Sequence, residues 1–315
     1  MAEPQLVVVA LGGNAILRRG DDGSITRQFT RADDVMRHVA RLAEDGRHVI
    51  LTHGNGPIVG NIVLRNEAAR SSIPPMPLYI ADADSEGGLG LLLQMSLHNR
   101  LREAGLKRSV VTVITQCIVD RADPAFSNPT KPIGPYWTPV HAAELARTEG
   151  WVFAENADGS RRRVVASPRP LRIVEAHSIG RIAAAGDIVI AAGGGGVPVL
   201  EDEDGMLTGV DAVIDKDWAS ALLACETDAL ALIILMEAEQ VFLGWGTAAA
   251  RPLDRLTVAE ADRLLSSGEL ERGSIGPKVA ACAEFARETG RDAIICGCGV
   301  LEDALAGRAG TRIVP

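Results

Sequence analysis

The chain has 315 residues, of which 47% are hydrophobic and only 3% aromatic, and its formal net charge at pH 7 is -9. This length and apolar content are enough to bury a large core, as one α/β domain or as two lobes. The acidic balance and the lack of a basic stripe argue against a nucleic-acid partner, and no apolar run approaches the ~20 residues of a membrane span. The N-terminus lacks the basic segment of a signal peptide, so we expect a cytoplasmic location.

The first predicted element is a strand that runs directly into a glycine turn. Leu6 to Ala10 are apolar and rich in valine, which is typical of a strand buried on both faces, and Gly12, Gly13 and Asn14 follow its end. In a parallel α/β sheet this edge binds ligands, and glycines let backbone N–H groups approach an anion. A lone Gly-Gly pair is equally compatible with a tight turn after a core strand.

Three further glycine turns repeat this arrangement. They are His53-Gly54-Asn55-Gly56-Pro57 after a strand at His48 to Thr52, Gly193 to Gly196 after a strand at Ile188 to Ala192, and Gly273-Ser274-Ile275-Gly276-Pro277-Lys278 at the start of a helix. Helix N-termini and glycine nests bind anions. Four such turns in one chain therefore predict a ligand that carries several phosphates.

The other predicted elements alternate between helix and strand. Apolar residues at helical spacing predict the helices, and short β-branched runs predict the strands. In chain order they are a helix from about Arg31 to Asp45, a long apolar helix at Gly87 to Ala104, a strand at Val110 to Thr115, a helix at Trp218 to Cys225, a strand at Leu230 to Met236, helices near Val258 to Ser266 and Lys278 to Thr289, a strand at Ala293 to Cys296, a helix near Leu301 to Arg308 and a strand at Thr311 to Val314. This alternation predicts an α/β sheet with right-handed crossovers.

Residues 126 to about 172 interrupt the alternation. Proline recurs there, and Asn156-Ala157-Asp158-Gly159 lies between two short strand-like runs, which is a hairpin signature. We interpret the segment as a small inserted subdomain that carries Lys131. This subdomain is either a lid over an active site or a surface insertion without a function.

Lysine usage singles out three loops. Only four of the 32 basic residues are lysines, and three of them, Lys131, Lys216 and Lys278, lie in motif-like loops. Lysine is a compact, mobile point charge suited to following a phosphoryl group, whereas arginine is a rigid fork. We infer that function retains the three loop lysines, although chance is an open alternative.

Three aspartates, Asp211, Asp215 and Asp217, flank Lys216. Their carboxylates are suited to holding Mg²⁺ or to orienting the lysine. Asp217 is equally suited to capping the helix that follows. Of the five cysteines, Cys296 and Cys298 form one closely spaced pair, but there is no second pair at zinc spacing. We therefore expect reduced thiols and no metal site built from cysteine.

Seven segments together resemble those of carbamate kinase, of the amino-acid-kinase fold. They are LGGNAI, THGNGP, NPTKPIGP, SPRPLRIVE, AAGGGGVPV, DAVIDKD and GSIGPKV, and they extend the resemblance from Leu6 to Pro315. The NPTKPIGP insertion separates the chain from acetylglutamate and uridylate kinases of the same fold. The resemblance implies an open, mostly parallel sheet in an αβα sandwich with a small inserted subdomain.

The resemblance also implies an activity. It is the reversible, Mg²⁺-dependent transfer of a phosphoryl group between ATP and carbamate, giving ADP and carbamoyl phosphate, often in fermentative arginine breakdown. The Mg²⁺ would be carried by ATP or ADP, with no protein side chain assigned as its ligand, and the enzyme would be a homodimer. Residues 1–187 would form the acceptor lobe with the inserted subdomain, and residues 188–315 the nucleotide lobe.

Roles for individual residues follow from the matching motifs. The carbamate and transferred-phosphate region would be lined by Gly12, Gly13, Asn14, Gly54 and Asn55. The nucleotide would be bound by Gly193, Gly194, Gly195, Gly196, Asp215, Gly276 and Met236. The catalytic set would be Lys131, Lys216, Lys278, Asp211 and Asp217, and which of the three aspartates positions the catalytic lysine stays open.

Two segments depart from the family pattern. Ser85-Glu86-Gly87 stands where the family usually has Ser-Gln-Gly, on the acceptor side or at the dimer interface. Leu235-Met236-Glu237-Ala238 replaces a more typical Leu-Thr-x-Val where the nucleotide base is expected. We therefore expect weakened discrimination between ATP and GTP.

The chemistry is consistent with this assignment. Carbamate is already an anionic oxygen nucleophile, so catalysis reduces to alignment and charge neutralisation. A kinase of the same fold with another small carboxylate or phosphate acceptor is the nearest alternative. A nucleotide-binding sensor without catalysis is disfavoured by the three loop lysines, and a dinucleotide-binding dehydrogenase by the lack of a GxGxxG motif after the first strand.

Overall fold

A computed structural model of the chain describes residues 5–13, 16, 21, 23–270 and 275–315. The described helices are α1 (Ile25–Glu44), α2 (Gly56–Ala69), α3 (Leu78–Glu103), α4 (Pro124–Ser127), α5 (Pro139–Glu149), α6 (Ala176–Ala184), α7 (Lys216–Glu226), α8 (Val258–Ser267), α9 (Gly276–Thr289) and α10 (Leu301–Leu305). The described strands are β1 (Leu6–Leu11), β2 (His48–His53), β3 (Val110–Thr112), β4 (Gln116–Val119), β5 (Lys131–Trp137), β6 (Val152–Glu155), β7 (Arg161–Val165), β8 (Pro170–Ile173), β9 (Ile188–Ile190), β10 (Val197–Glu201), β11 (Leu207–Gly209), β12 (Ala231–Met236), β13 (Val241–Leu243), β14 (Arg251–Leu253), β15 (Arg255–Thr257), β16 (Ala293–Gly297) and β17 (Thr311–Val314).

The central element is an eight-stranded sheet in the order β15-β17-β16-β12-β1-β2-β9-β3. Every neighbouring pair in it is parallel except β16 and β17. Leu11 at the end of β1 lies opposite Leu235 of β12 and His53 of β2. The segments that follow these three strands therefore leave the sheet side by side at one edge. The predicted open, mostly parallel sheet is confirmed.

Helices cover both faces of this sheet. Side chains of β1 alternate between two apolar clusters, with Val8 and Ala10 in one and Val7, Val9 and Leu11 in the other. The first cluster includes residues of α6, α7, α8 and α9, and the second includes residues of α1, α3 and α10. Each fully buried Val or Leu side chain contributes about 1.5–3 kcal/mol of transfer free energy. The predicted αβα sandwich is thus confirmed.

A separate three-stranded antiparallel sheet, in the order β5-β7-β6, lies in the predicted subdomain. The predicted hairpin is confirmed, because β6 and β7 pair on either side of a turn in which Gly159, at φ +81°, donates its N–H to Asn156 O. β8 pairs instead with β4 in a four-stranded sheet, so the separate sheet ends at residue 165. The division into lobes at residue 188 stays a prediction, and β9 lies between β2 and β3 in the main sheet.

Two helices begin earlier than their apolar pattern predicts. α1 begins at Ile25 because the Ser24 side chain caps it by accepting a hydrogen bond from Arg27 N, at 3.2 Å. α3 begins at Leu78, immediately after the proline-rich segment, and not near Gly87. Its first turns carry buried polar residues that interrupt the apolar periodicity. Within the described ranges, no helix has the length and apolar character of a membrane span.

The contact between α3 and β3 depends on a glycine. A Cβ built on Gly90 would lie only 2.2 Å from Thr112 Cγ2, whereas a Cβ on the exposed Gly88 of the same helix meets nothing within 4 Å. Space for the Cβ therefore exists at one position and not at the other.

We predict that Gly90→Ala lowers the free energy of unfolding by about 1–3 kcal/mol, because the methyl group forces the helix away from the strand. Gly88→Ala is the matched control and should raise it by about 0.5–1 kcal/mol, because alanine is the better helix former. Urea unfolding of the two variants measures both changes. Equal effects of the two substitutions would contradict the packing described.

Candidate active site

The glycine turns after β1 and β2 pack against each other at the edge of the main sheet. Gly54 N donates a hydrogen bond to Leu11 O at 3.0 Å. A Cβ on Gly54 would lie 2.9 Å from Gly13 N and 3.3 Å from Lys216 Cδ. Residues with a side chain at position 54 would push these groups apart, so the glycine is required by the close approach of two turns and a lysine.

Two lysines share one buried carboxylate beside these turns. Lys216 begins α7 and Lys278 lies in the first turn of α9, and the two helices pack together. Lys216 Nζ donates to Asp217 Oδ1 at 2.5 Å, and Lys278 Nζ donates to Asp217 Oδ2 at 2.9 Å. Both lysines belong to the first turn of their helices, and a helix N-terminus favours anions. The arrangement is suited to binding phosphate groups.

The charge of Asp217 depends on these two lysines. Its side chain is only 4% exposed, and burial alone would raise the pKa of the carboxyl. The Lys216 and Lys278 ammonium groups outweigh burial and hold the pKa of Asp217 at about 2. The aspartate is therefore ionised throughout the physiological range.

Asp215 connects the same region to the subdomain. Its Oδ1 accepts from Asp217 N at 3.0 Å and so caps α7, and its Oδ2 accepts from Lys131 Nζ at 2.9 Å. The cap of α7 is thus Asp215 and not Asp217. Three ammonium groups face two carboxylates here, which leaves a net positive charge for an anionic ligand.

A cavity of about 750 Å³ opens from the lysines along the edge of the sheet. This volume is in the range of small-molecule and cofactor sites. Phe242 and Trp245 form an aromatic pair in its wall, with ring centroids 5.0 Å apart, and the Trp245 side chain is largely exposed. The lining residues are Gly12, Gly13, Val35, Lys216, Leu235, Met236, Glu237, Ala238, Gln240, Val241, Phe242, Gly244, Trp245, Gly268, Glu269, Ile275, Lys278, Cys298 and Gly299.

The tetraglycine turn after β9 is buried on the other side of the β2 turn. A Cβ on Gly193 would lie 2.4 Å from His53 Nε2, and one on Gly194 would lie 2.1 Å from Asn55 Nδ2. Burial, with the Lys216 charge adding to it, lowers the pKa of His53 to about 4, so its imidazole is neutral at pH 7. His53 is thus a packing partner of the glycine turn and not a proton acceptor poised near neutrality.

A family model described as the amino acid kinase family matches residues 5–297. The chain belongs to the amino acid kinase family. A carbamate kinase of Pyrococcus horikoshii is 44% identical to this amino acid kinase over 314 residues, which cover 99% of this chain and 100% of the relative. The carbamate kinase-like protein YahI of Escherichia coli is 42% identical over 313 residues, 98% of this chain and 99% of that protein.

Among solved structures, carbamate kinase from Giardia lamblia bound to AMP-PNP superimposes with a TM-score of 0.94 at 37% identity, over 100% of this chain and 99% of that one. These findings confirm the predicted family. They also make the chain a phosphotransferase of the kinase class.

The structure of this amino acid kinase brings part of the predicted site together. Gly12, Gly13, Lys216, Lys278 and Met236 line the cavity, Gly54 abuts Gly13, and Gly276 starts the helix that carries Lys278. Lys131 joins through Asp215. Of the three aspartates, Asp217, and not Asp211 or Asp215, accepts hydrogen bonds from both Lys216 and Lys278.

Other predicted residues lie elsewhere. Asp211 is exposed, and its Oδ1 accepts from Leu78 N at the start of α3. Asn55 and Gly193 to Gly196 are buried and do not line the cavity. Asn14, Gly273 and Ser274 lie outside the described residues.

Sequence reasoning missed the aromatic pair in the cavity wall. Trp245 stands between two glycines, Gly244 and Gly246, both at positive φ. A tryptophan in a glycine turn is an unusual surface residue in a chain with so few aromatics, and that local pattern was the available signal.

Metal ligands are not evident in the described part of the chain. No group of three or more His, Cys, Asp and Glu side chains there is arranged to hold an ion. Both oxygens of Asp215 and both of Asp217 accept hydrogen bonds from ammonium or backbone N–H groups. These carboxylates therefore do not fit a direct metal ligand role.

We predict that Asp217→Asn lowers the free energy of unfolding at pH 7 by about 2–3 kcal/mol, since the folded pKa of about 2 lies well below the ordinary value of 3.8. The sign follows from the depressed pKa. The stabilisation is complete above about pH 4 and disappears as the pH falls towards 2. Denaturant unfolding of both proteins over this range measures the difference, which should shrink with acidification.

The control for this experiment is Asp204→Asn, an exposed aspartate between β10 and β11. It should change the free energy of unfolding little at any pH. A wild-type to Asp217→Asn difference that does not vary between pH 7 and about 2 would contradict the shared carboxylate.

Proposed function

We propose that this protein is a carbamate kinase, which transfers a phosphoryl group reversibly between ATP and carbamate to give ADP and carbamoyl phosphate. The observation that carries the proposal is the pair of cavity lysines held by Asp217 beside two glycine turns. The Pyrococcus horikoshii relative is identical at 44% of positions over nearly the full length of this chain. Its name, carbamate kinase, supports the same substrates.

The site suits a reaction that needs no general base. Carbamate already carries an anionic oxygen, so transfer requires alignment of the two anions and neutralisation of charge. The neutral, buried His53 fits such chemistry, because it is no proton acceptor near pH 7. Lys216 and Lys278 would stabilise the charge that spreads over the oxygens of the transferred group.

The cavity would hold the nucleotide, with its phosphates at the lysines and its base between Met236 and the aromatic pair Phe242 and Trp245. A volume of about 750 Å³ and an apolar far wall are compatible with this orientation. The AMP-PNP complex of the Giardia lamblia carbamate kinase supports nucleotide binding in this family. The Mg²⁺ would enter as part of the substrate, on the phosphates of ATP or ADP.

A homodimer and a cytoplasmic location stay predictions. Leu91 and Met95 of α3 are 56% and 48% exposed, and they lie one turn apart on the same helix face. An exposed apolar face on a long helix is typical of a subunit contact, which supports the expected dimer.

The experiment that tests the proposed reaction measures ATP formation from Mg–ADP and synthetic carbamoyl phosphate with a coupled assay. We expect rapid, saturable ATP formation. The opposite direction is then assayed with a panel of acceptors, including acetate and small phosphate compounds. No ATP from carbamoyl phosphate, with turnover of another acceptor, would overturn the assignment in favour of a different kinase of the same fold.

That second candidate has one observation in its favour. The Escherichia coli relative YahI, at 42% identity over nearly the full length, carries the name carbamate kinase-like and not carbamate kinase. Overall identity at this level therefore does not fix the acceptor, and the acceptor panel is needed.

We predict that Lys278→Ala lowers kcat by roughly 10²-fold, while the Kd of the nucleotide changes far less. The ammonium group is held by Asp217 at the start of α9, where it should stabilise the charge that develops in the transition state more than the bound substrate. Lys278→Arg should restore little activity, since a planar fork fits poorly in a site lined by glycines. Steady-state kinetics and nucleotide titration separate the two effects.

Lys107→Ala is the matched control, because Lys107 is exposed and lies outside the cavity. It should leave kcat and nucleotide affinity unchanged. If Lys278→Ala behaved like this control, Lys278 would serve only as an ion-pair partner of Asp217 and would take no part in the transfer.

We also predict that nucleotide or carbamoyl phosphate protects residues 156–160 from limited proteolysis. The Lys131–Asp215 ion pair joins the subdomain to the start of α7, and a bound phosphate would add a second partner for Lys131 and hold the subdomain closed. Lys131→Ala should abolish the protection. Equal cleavage with and without ligands in the wild type would argue against a lid.

A further inference from the structure

Two acidic side chains are buried one turn apart on α3, away from the cavity described above. Asp82 is 2% exposed and Glu86 is 1% exposed, and their spacing places them on the same face of the helix. Within the described part of the chain, Asp82 Oδ2 and Glu86 Oε1 have no hydrogen-bond partner. Among the residues that the structure describes, no lysine or arginine forms an ion pair with either carboxyl group.

The remaining oxygens of the pair accept hydrogen bonds from the segments that follow β2 and β3. Asn55 Nδ2 donates to Asp82 Oδ1 at 3.3 Å and to Ser85 Oγ at 2.8 Å. Thr115 N donates to Glu86 Oε2 at 2.8 Å. Asp82 thus fixes the turn after β2, and Glu86 fixes the segment after β3.

Thr115, which is bonded to Glu86, also forms a hydrogen bond with the residue that precedes the tetraglycine turn. Its Oγ1 accepts from Ala192 N at 2.8 Å. Ala192 has φ +49°, a conformation that is unfavourable for alanine and needs such an external hold. Gly193 follows directly and packs between His53 and Glu86, whose Cγ would lie 3.1 Å from a Cβ at position 193.

Both carboxyl groups cannot be ionised together at this depth without opposite charges. The charged or titratable groups that face them are mostly acids: Asp211 before α7, Glu175 before α6 and the buried Cys117 of β4. The nearby base is His53, which is neutral at pH 7, with Lys216 beyond it. Burial raises the pKa of Asp82 to about 8 and raises the pKa of Glu86 well above its ordinary value.

We propose that Asp82 and Glu86 form a proton-holding pair that positions the β2 and tetraglycine turns for transfer, and that turnover falls when alkaline solution removes the proton. The pair consists of positioning residues, since neither lines the cavity. The consequence for turnover rests on the proposed carbamate kinase activity. The retention of a proton by the pair does not depend on that activity.

The direct test compares the alkaline limb of kcat for the wild type, Glu86→Gln and Asp82→Asn in ATP formation from Mg–ADP and carbamoyl phosphate. An amide has nearly the shape of a protonated carboxyl group, and none of its protons titrates in this pH range. We expect both variants to keep most of the activity at pH 7 and to move the alkaline limb upward by about one pH unit or more. The KM for ADP should change little, because the nucleotide cavity is separate.

The matched control is Asp84→Asn, because Asp84 lies on the same helix between the two residues and is exposed. Its profile should coincide with that of the wild type. Coincident profiles for all four proteins would overturn the pair as the source of the alkaline limb.

A second measurement does not depend on activity or on the folding of a variant. Infrared spectra of the wild type between about pH 6 and about pH 10 report the carbonyl band of a protonated carboxyl group, which should be present at pH 7 and disappear on alkalinisation. Absence of the band at pH 7 would overturn the proposal. If the band is present but the protein forms no ATP from carbamoyl phosphate, the proton-holding pair stands and the proposed enzyme function is refuted.

Stability gives a third comparison with a defined sign. Because the folded pKa of Asp82 lies above its ordinary value, the folded protein binds the extra proton, and unfolding becomes easier as the pH rises from about 4 to about 8. Asp82→Asn lacks this proton. Its melting temperature should therefore fall less than that of the wild type over this range.

Discussion

The candidate active site depends on one buried carboxylate that two lysines share. Asp217 follows the first residue of α7, and it contacts one lysine on its own helix and another on α9, 61 residues further along the chain. Two ammonium groups at the same place would repel each other without it, and a buried carboxylate without them would be expensive to ionise. The interaction therefore fixes both helix N-termini at the edge of the sheet. It also leaves the free positive charge directed at a ligand.

Glycine completes the site by removing side chains where backbones must meet. Gly54 lies against Gly13 and Lys216, and Gly193 and Gly194 lie against His53 and Asn55. The first contact lies at the cavity, which Gly13 and Lys216 line, whereas the second is buried and does not line it. The two kinds of glycine turn are thus placed differently: one lines the cavity, and the other lets two turns pack. The acidic pair on α3 connects them from behind, through Asn55 and Thr115.

The fold could largely be predicted because its signals are local. Runs such as Leu6 to Ala10 and Ala231 to Met236 are continuous apolar strands, and the glycine turns follow them directly. The start of α3 could not, because the inward-facing Asp82, Ser85 and Glu86 interrupt its apolar pattern and make a buried helix resemble a loop. The role of Asp217 could not be separated from that of Asp211 and Asp215, because the choice depends on the packing of α7 against α9. Burial of the tetraglycine turn likewise depends on a contact between distant segments, which glycine spacing alone does not reveal.

The most direct test of the shared carboxylate is a double-mutant comparison of kcat in ATP formation from Mg–ADP and carbamoyl phosphate. The proteins are Asp217→Asn, Lys278→Ala and the variant with both changes. If Asp217 acts by holding the lysines, the double variant should be about as slow as the slower single variant, because the second substitution removes a group that is already displaced. Losses that multiply in the double variant would show that the two side chains act independently and would contradict the shared carboxylate as the organising interaction of the site.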